Sequence, residues 1–168
     1  MIEKLVTARY HSPVGIITLV SDGDSLTALQ FAKHQGETET QDSPQSQNLE
    51  VFADTFRWLE LYFTGVKPDF IPPIKPQGTS FQQKVWQELL TIPYGRTTTY
   101  GAIAKRLNCR SAQAVGQAIR RNPIAIIIPC HRVIGSDGAL TGYAAGVEVK
   151  RQLLLVENVN KQSTQPDP

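Results

Sequence analysis

The chain has 168 residues, 40% hydrophobic and 19% charged, with a formal net charge of +2, enough for one ordinary domain or two small ones around a packed core. No apolar stretch approaches a membrane span and Met1–Lys4 opens no signal-peptide core, so a soluble intracellular protein is expected. The two cysteines, Cys109 and Cys130, exclude a secreted disulfide framework, and His11, His34 and His131 lack metal-site spacing with them, so no metal is expected.

Gly15–Val20 and Leu26–Phe31 are short β-rich runs around an Asp22-Gly23 turn signal, which predicts a hairpin in a small antiparallel sheet. Lys33–Asn48 is polar and reads as a loop. From about Glu50, Phe52, Phe56, Leu59 and Phe63 recur at helical spacing until Gly65 ends the helix, and these side chains read as core with no functional role. Pro68, Pro72, Pro73 and Pro76 make 67–78 an extended stretch suited to an interdomain linker.

Beyond it, Thr79 and Ser80 offer N-caps with Gln82 and Gln83 at capping-box spacing. Phe81, Val85, Trp86, Leu89 and Leu90 mark the apolar face of the helix that follows, closed by 92–95. Two short helical patterns come next around the turn 108–110. Tyr100–Leu107 places Ile103 and Leu107 inward, and a helix capped by Ser111 and running to about Arg121 places Val115 and Ile119 inward, a pairing that suggests a helix-turn-helix. Ala112 and Gly116 give the second helix a small-residue side that lets a partner surface approach closely, although a packing seam explains them equally well. Asn122-Pro123 stops that helix, and Ile124–Ile128 reads as a buried strand. Ser136–Gly138 is a turn, 141–146 a small-residue loop, and Val147 to about Glu157 a final helix presenting Leu153, Leu154 and Val156, with a frayed polar tail from Asn158. The elements predict an α+β fold in two units. Residues 1–75 form an N-terminal α/β piece built on the antiparallel sheet, and 76–168 form a mostly helical C-terminal piece.

Between Leu89 and Ser136 there is no aspartate or glutamate, while Arg96, Lys105, Arg106, Arg110, Arg120, Arg121 and Arg132 all fall there. A one-signed stretch on a balanced protein suggests a polyanion-facing surface, against the alternative of a solvated basic face. The same window carries Pro129-Cys130-His131-Arg132-Val133. Proline would end the preceding strand, leaving the thiol at a rigid rim beside a histidine and an arginine, surroundings that lower a thiol pKa and make a nucleophile. A structural cysteine next to a histidine is the competing reading. On an extended segment adjacent side chains diverge, so Cys130 and His131 would need a water or a local turn between them. The basic helical pair just upstream favours a nucleic-acid substrate over a peptide.

That motif, with Asn122-Pro123, Tyr100-Gly101 and Thr141-Gly142-Tyr143 around it, resembles the O6-alkylguanine-DNA alkyltransferase family, also called methylated-DNA–protein-cysteine methyltransferases. The resemblance is close over Thr79–Glu157 and looser over the N-terminal part, through Ser12-Pro13-Val14-Gly15. It implies a ribonuclease-H-like shape for the N-terminal unit and direct-reversal DNA repair by a cytoplasmic monomer without cofactor, nucleoid-associated in a bacterium. The partner would be double-stranded DNA containing O6-alkylguanine, bound through the minor groove, with O4-alkylthymine a second candidate substrate. The helix Ser111–Arg121 would enter the groove, with Arg110, Ser111, Ala112, Gln113, Gly116 and Arg120 on the DNA, and the damaged base would rotate out of the stack.

By the same resemblance, Cys130 accepts the alkyl group irreversibly, once per molecule. His131 takes the thiol proton through a water, and Glu157 orients His131. Tyr100 protonates N3 of the leaving guanine and Asn122 supports the turn. Carbonyls of Cys130 and Val133, the Ala144 N–H, Tyr143 and Ala145 hold the base, while Arg132 fixes local structure. Two positions depart from the family pattern: Gln113 replaces the usual arginine, which predicts weaker DNA affinity or slower flipping, and Ala145 replaces a frequent glycine, which narrows the pocket. A non-catalytic sensor of alkylated DNA is the alternative, against which Cys130 itself speaks.

Overall fold

The computed structural model describes residues 5–32 and 48–158. The first four residues, residues 33–47 of the expected polar loop with His34 among them, and the tail beyond Asn158 lie outside them. Strands β1 (Val6–Ser12), β2 (Gly15–Ser21) and β3 (Leu26–Phe31) form an antiparallel sheet in that order. The expected hairpin is β2–β3. The Asp22 carboxylate accepts from the Asp24 and Ser25 amides at 3.0 and 2.9 Å, so the turn carries its own hydrogen bonds. Strand β1 has no comparable sequence signal and is fixed by its partner, from Val6 opposite Ser21 to Ser12 opposite Gly15.

Helix α1 (Glu50–Phe63) packs on this sheet and ends at Thr64, followed by Gly65 at φ +83°. Its buried face runs through Phe52, Thr55, Leu59 and Tyr62, while Phe56 and Phe63 border it and stack on Tyr10. The proline-rich stretch is extended as expected, but it is tied down: the Leu26 amide donates to Pro73 O at 2.7 Å and the Lys75 amide to Leu26 O at 2.8 Å.

Helix α2 (Ser80–Leu89) starts at a capping box, in which Thr79 Oγ1 accepts from the Gln82 amide and Gln82 Oε1 accepts from the Thr79 amide. Buried Trp86 donates its indole N–H to Ala118 O at 2.9 Å, which pins α2 to α4 (Ala112–Arg120). Helix α4 is capped by Ser111, whose Oγ accepts from the Ala114 amide, and it packs beside α3 (Tyr100–Arg106). A short parallel pair, β4 (Thr98–Thr99) with β5 (Val133–Ile134), brings the start of α3 next to the Cys130 segment. Helix α5 (Val147–Val156) closes the fold. One buried apolar cluster joins Leu19 and Leu59 to Val85, Ile103 and Leu153. No described helix is long and apolar enough to cross a membrane.

The expected strand Ile124–Ile128 is not one. Ile124 makes an isolated bridge to Leu29, with Ala125 N donating to Leu29 O at 2.9 Å, and the chain then coils. The Ile128 amide returns to Ile124 O at 3.1 Å, and Ile126 takes φ +68°, a rare conformation for a β-branched residue. The apolar run that imitates a buried strand is a turn, whose four isoleucine side chains are buried. Asn122 closes it from within: its Nδ2 donates to Ile128 O at 2.8 Å and its Oδ1 accepts from the Ile124 amide at 3.0 Å.

Candidate active site

That turn delivers the chain into a 3₁₀ turn over Cys130–Arg132, closed by the Arg132 amide on Pro129 O at 3.1 Å. Three residues per turn send successive side chains in three directions instead of two. The extended geometry expected around Cys130 therefore gives way to a local turn. Cys130 opens on a cavity, His131 points into the core and Arg132 reaches the chain just beyond α2, where its Nη1 donates to Ile92 O at 2.8 Å.

Behind the turn, Glu157 is fully buried at the end of α5 and collects four donors. Its Oε1 accepts from Arg132 Nε at 2.8 Å and from the Gly95 amide at 3.0 Å. Its Oε2 accepts from His131 Nε2 at 2.5 Å and from the Tyr62 hydroxyl at 2.6 Å. Burial alone would raise this carboxyl, but His131 and Arg132 hold it far below the usual carboxylate range. Burial pushes the imidazole of His131 down, against the pull of Glu157, so the ring is neutral near pH 7. With an ionised carboxylate at Nε2, the ring proton belongs there, and Nδ1, which has no hydrogen-bond partner among the described residues, keeps its lone pair.

In front of the turn lies a cavity of about 520 Å³. Cys130, Asn122, Tyr143, Ala144, Ala145 and Arg120 line one side of it, and Val14, Gly15, Gln30 and Phe31 of the sheet line the other. Burial pushes the Cys130 thiol up, ahead of smaller opposing contributions from Asn122 and Lys150. The expectation that its neighbours lower this pKa is thus corrected: Arg132 is spent on Glu157 and Ile92, and His131 is uncharged. Tyr143 stands beside the thiol, its phenol pushed well above the usual range by burial and then by Cys130.

Tyr100, at the start of α3, donates its hydroxyl to Thr141 O at 3.2 Å, and Lys150 Nζ donates to the same carbonyl at 3.0 Å. Lys150 is almost fully buried, 5.9 Å above the Tyr100 ring, and burial lowers its pKa to about 8. Gly116 of α4 lies beside that ring, where an added Cβ would come within 3.8 Å of it. Val133 is buried and paired with Thr98.

Arg110, Ser111, Ala112 and Gln113 lie outside the cavity, on the exposed leading end of α4. Arg120, at its trailing end, lays its guanidinium against Gly142 so closely that any Cβ there would meet Nη2 at 2.8 Å. The site residues that sequence reasoning passed over are Tyr62 and Lys150. The first shares the helical face of Phe52, Thr55 and Leu59, and the second lies one turn before Leu153 and Leu154, so apolar periodicity held a signal for both.

Two family models match the chain: the ribonuclease-like domain of 6-O-methylguanine DNA methyltransferase over residues 5–76, and the DNA binding domain of the same proteins over residues 80–159. A methylated-DNA–protein-cysteine methyltransferase of Methanosarcina acetivorans is 48% identical over 151 residues, 89% of this chain and 96% of that protein. Its counterpart in Haemophilus influenzae is 45% identical over 152 residues, 89% and 84% of the two chains. The crystal structure of Mycobacterium tuberculosis OGT in complex with DNA superposes with a TM-score of 0.78 at 43% identity, covering 89% of this chain and 90% of that one.

Proposed function

This chain belongs to the 6-O-methylguanine DNA methyltransferase family, and we propose that it repairs DNA by moving the alkyl group of O6-alkylguanine onto its own Cys130. The observation that carries this reading is the placement of one thiol between a base-sized cavity and a neutral imidazole held by a buried carboxylate. Because burial favours the protonated thiol, Cys130 needs a base at the moment of attack. His131 Nδ1 is that base, and a water carries the proton between them. The sulfur forms a bond to the alkyl carbon as the carbon–O6 bond breaks, the thiol proton goes to His131, and guanine leaves. Tyr100, kept protonated by burial, turns its O–H from Thr141 O to N3 of the departing base. A thioether is not reduced by thiols, so each molecule acts once.

The exposed leading end of α4 enters the minor groove, with Gln113 in the gap left by the extruded base. Arg110 and Arg120 serve phosphates from either end of the helix. Residues 76–168 carry this chemistry and 1–75 carry the opposite wall of the pocket. The test is mass spectrometry after incubation with O6-methylguanine DNA. One added methylene on the Cys130 peptide, in a burst that stops at one per molecule, is the expected result. An unmodified peptide at DNA saturation would reject the proposal and leave a non-catalytic binder.

A further inference from the structure

Helix α1 lies far from Cys130 in sequence, yet it sends one polar atom into the base network. The Tyr62 hydroxyl is buried between two acceptors, Glu157 Oε2 at 2.6 Å and Leu153 O at 3.3 Å, with the protonated His131 Nε2 at 3.3 Å. It has one proton to give, and the shortest contact, to an ionised carboxylate, receives it. The Tyr62 oxygen then faces the His131 N–H with a lone pair. The ring itself is clamped by Trp58, stacked at 5.3 Å and 8°, and by edge contacts with Phe63 and Tyr94. A tyrosine fixed on so many sides is a positioning device for whatever its hydroxyl holds.

We propose that Tyr62 is a positioning residue for the alkyl-transfer base, a contribution of the N-terminal unit that rests on the reading of Cys130 as alkyl acceptor. Its O–H shares Glu157 Oε2 with His131, so it sets both the angle of the imidazole and how strongly the carboxylate draws on the imidazole proton. Without that donation, all of the Oε2 electron density faces His131. The imidazolium is then favoured, and the ring protonates at higher pH. With a stronger donor the opposite holds. Tyr62 thus tunes the pH below which Nδ1 ceases to be a base while touching neither the thiol nor the guanine.

The experiment measures the pH dependence of single-turnover methyl transfer from O6-methylguanine DNA to Cys130 in the full chain. Three proteins are compared: wild type, Tyr62→Phe, and protein carrying 3-fluorotyrosine at position 62 alone. The fluorine makes the phenol a stronger donor at nearly unchanged volume, so a folding failure of Tyr62→Phe leaves a second arm. Tyr62→Phe is expected to transfer roughly tenfold more slowly, a loss of one hydrogen bond to a charged group, with the acid limb of its profile moved to higher pH. The fluorinated protein is expected to move that limb to lower pH. A residue that only packs would alter stability and leave the limb where it is. Unmoved limbs in both variants, with wild type fully methylated, overturn the role of Tyr62 and leave the acceptor reading intact. No methylation of wild type rejects the acceptor reading, and the inference falls with it.

Discussion

The wall behind the Cys130–Arg132 turn and the cavity in front of it are built on opposite principles. Behind, Glu157 is saturated by four donors from three segments, and nothing there is exposed. In front, short residues such as Ala144, Ala145 and Gly15 alternate with larger ones such as Tyr143, Phe31 and Arg120 around open space. Such a closed ionic network costs desolvation and is returned mainly as fixed geometry. The lesson is a division of labour within three residues: the proposed base is held to one arrangement while the proposed acceptor faces open space.

The sharpest way to break that contrast is to remove its centre. Glu157→Ala leaves the buried Arg132 guanidinium without its counter-charge and His131 Nε2 without its acceptor, and should lower unfolding free energy by about 3–5 kcal/mol in chemical denaturation. Methyl transfer should fall by roughly 100-fold or more in single-turnover assays, as for loss of a positioned base. Asn122→Ala strips the Ile124 amide of its partner, removes one of the two donors to Ile128 O and should cost about 1–3 kcal/mol. The two sides should also fail at opposite ends of the pH scale. His131 is depressed below 6.5 and Glu157 below 4.5, so their stabilisation is present above those unfolded values and is lost as pH falls through the acid range. Cys130 is raised above 9.0, so its contribution is lost as the pH rises past that value, where the unfolded thiol ionises first. Thermal melts across pH, with Cys130→Ala diminishing the loss that begins near pH 9 and leaving the acid loss in place, check both signs.

A subtler test concerns Lys150. Its ammonium is buried at a cost that deprotonation relieves, so stability should rise as pH climbs from about 8 toward the unfolded value of 10.5. Lys150→Met should abolish that rise and also slow iodoacetamide capture of Cys130, because the neighbouring positive charge favours the thiolate. The smallest effects belong to the surfaces proposed to meet DNA. Gln113→Arg should tighten binding and steepen its salt dependence by about one charge, measured by titration at several salt concentrations. Ala145→Gly should raise the rate on benzyl-guanine DNA relative to methyl-guanine DNA.

Local signals carried much of this architecture. The Asp-Gly turn, the Thr79 capping box and the Ser111 cap each satisfy their own backbone within a few residues, and each forms where the sequence places it. Strand β1 lacked such a signal because its order comes from the neighbouring strand. Ile124–Ile128 misled because burial selects apolar residues whether the backbone is extended or coiled. The Cys130 motif was legible as chemistry, but the state of its thiol was not, since that depends on where Arg132 spends its hydrogen bonds. Tyr62 was hidden by distance: its partners lie 69, 91 and 95 residues further along the chain.

Strand β3 has one further consequence. Its side away from β2 is an unpaired edge, the kind of surface on which another chain can add a strand. The proline-rich stretch covers one end of it, through Pro73 and Lys75 on Leu26, and the segment leading to Cys130 covers the other, through Pro123 and Ala125 on Leu29. Both covers begin with a proline, which cannot itself extend a ladder. The same hydrogen bonds that seat the reactive turn therefore blunt a site of self-association, so variants that loosen that turn should aggregate as well as lose activity.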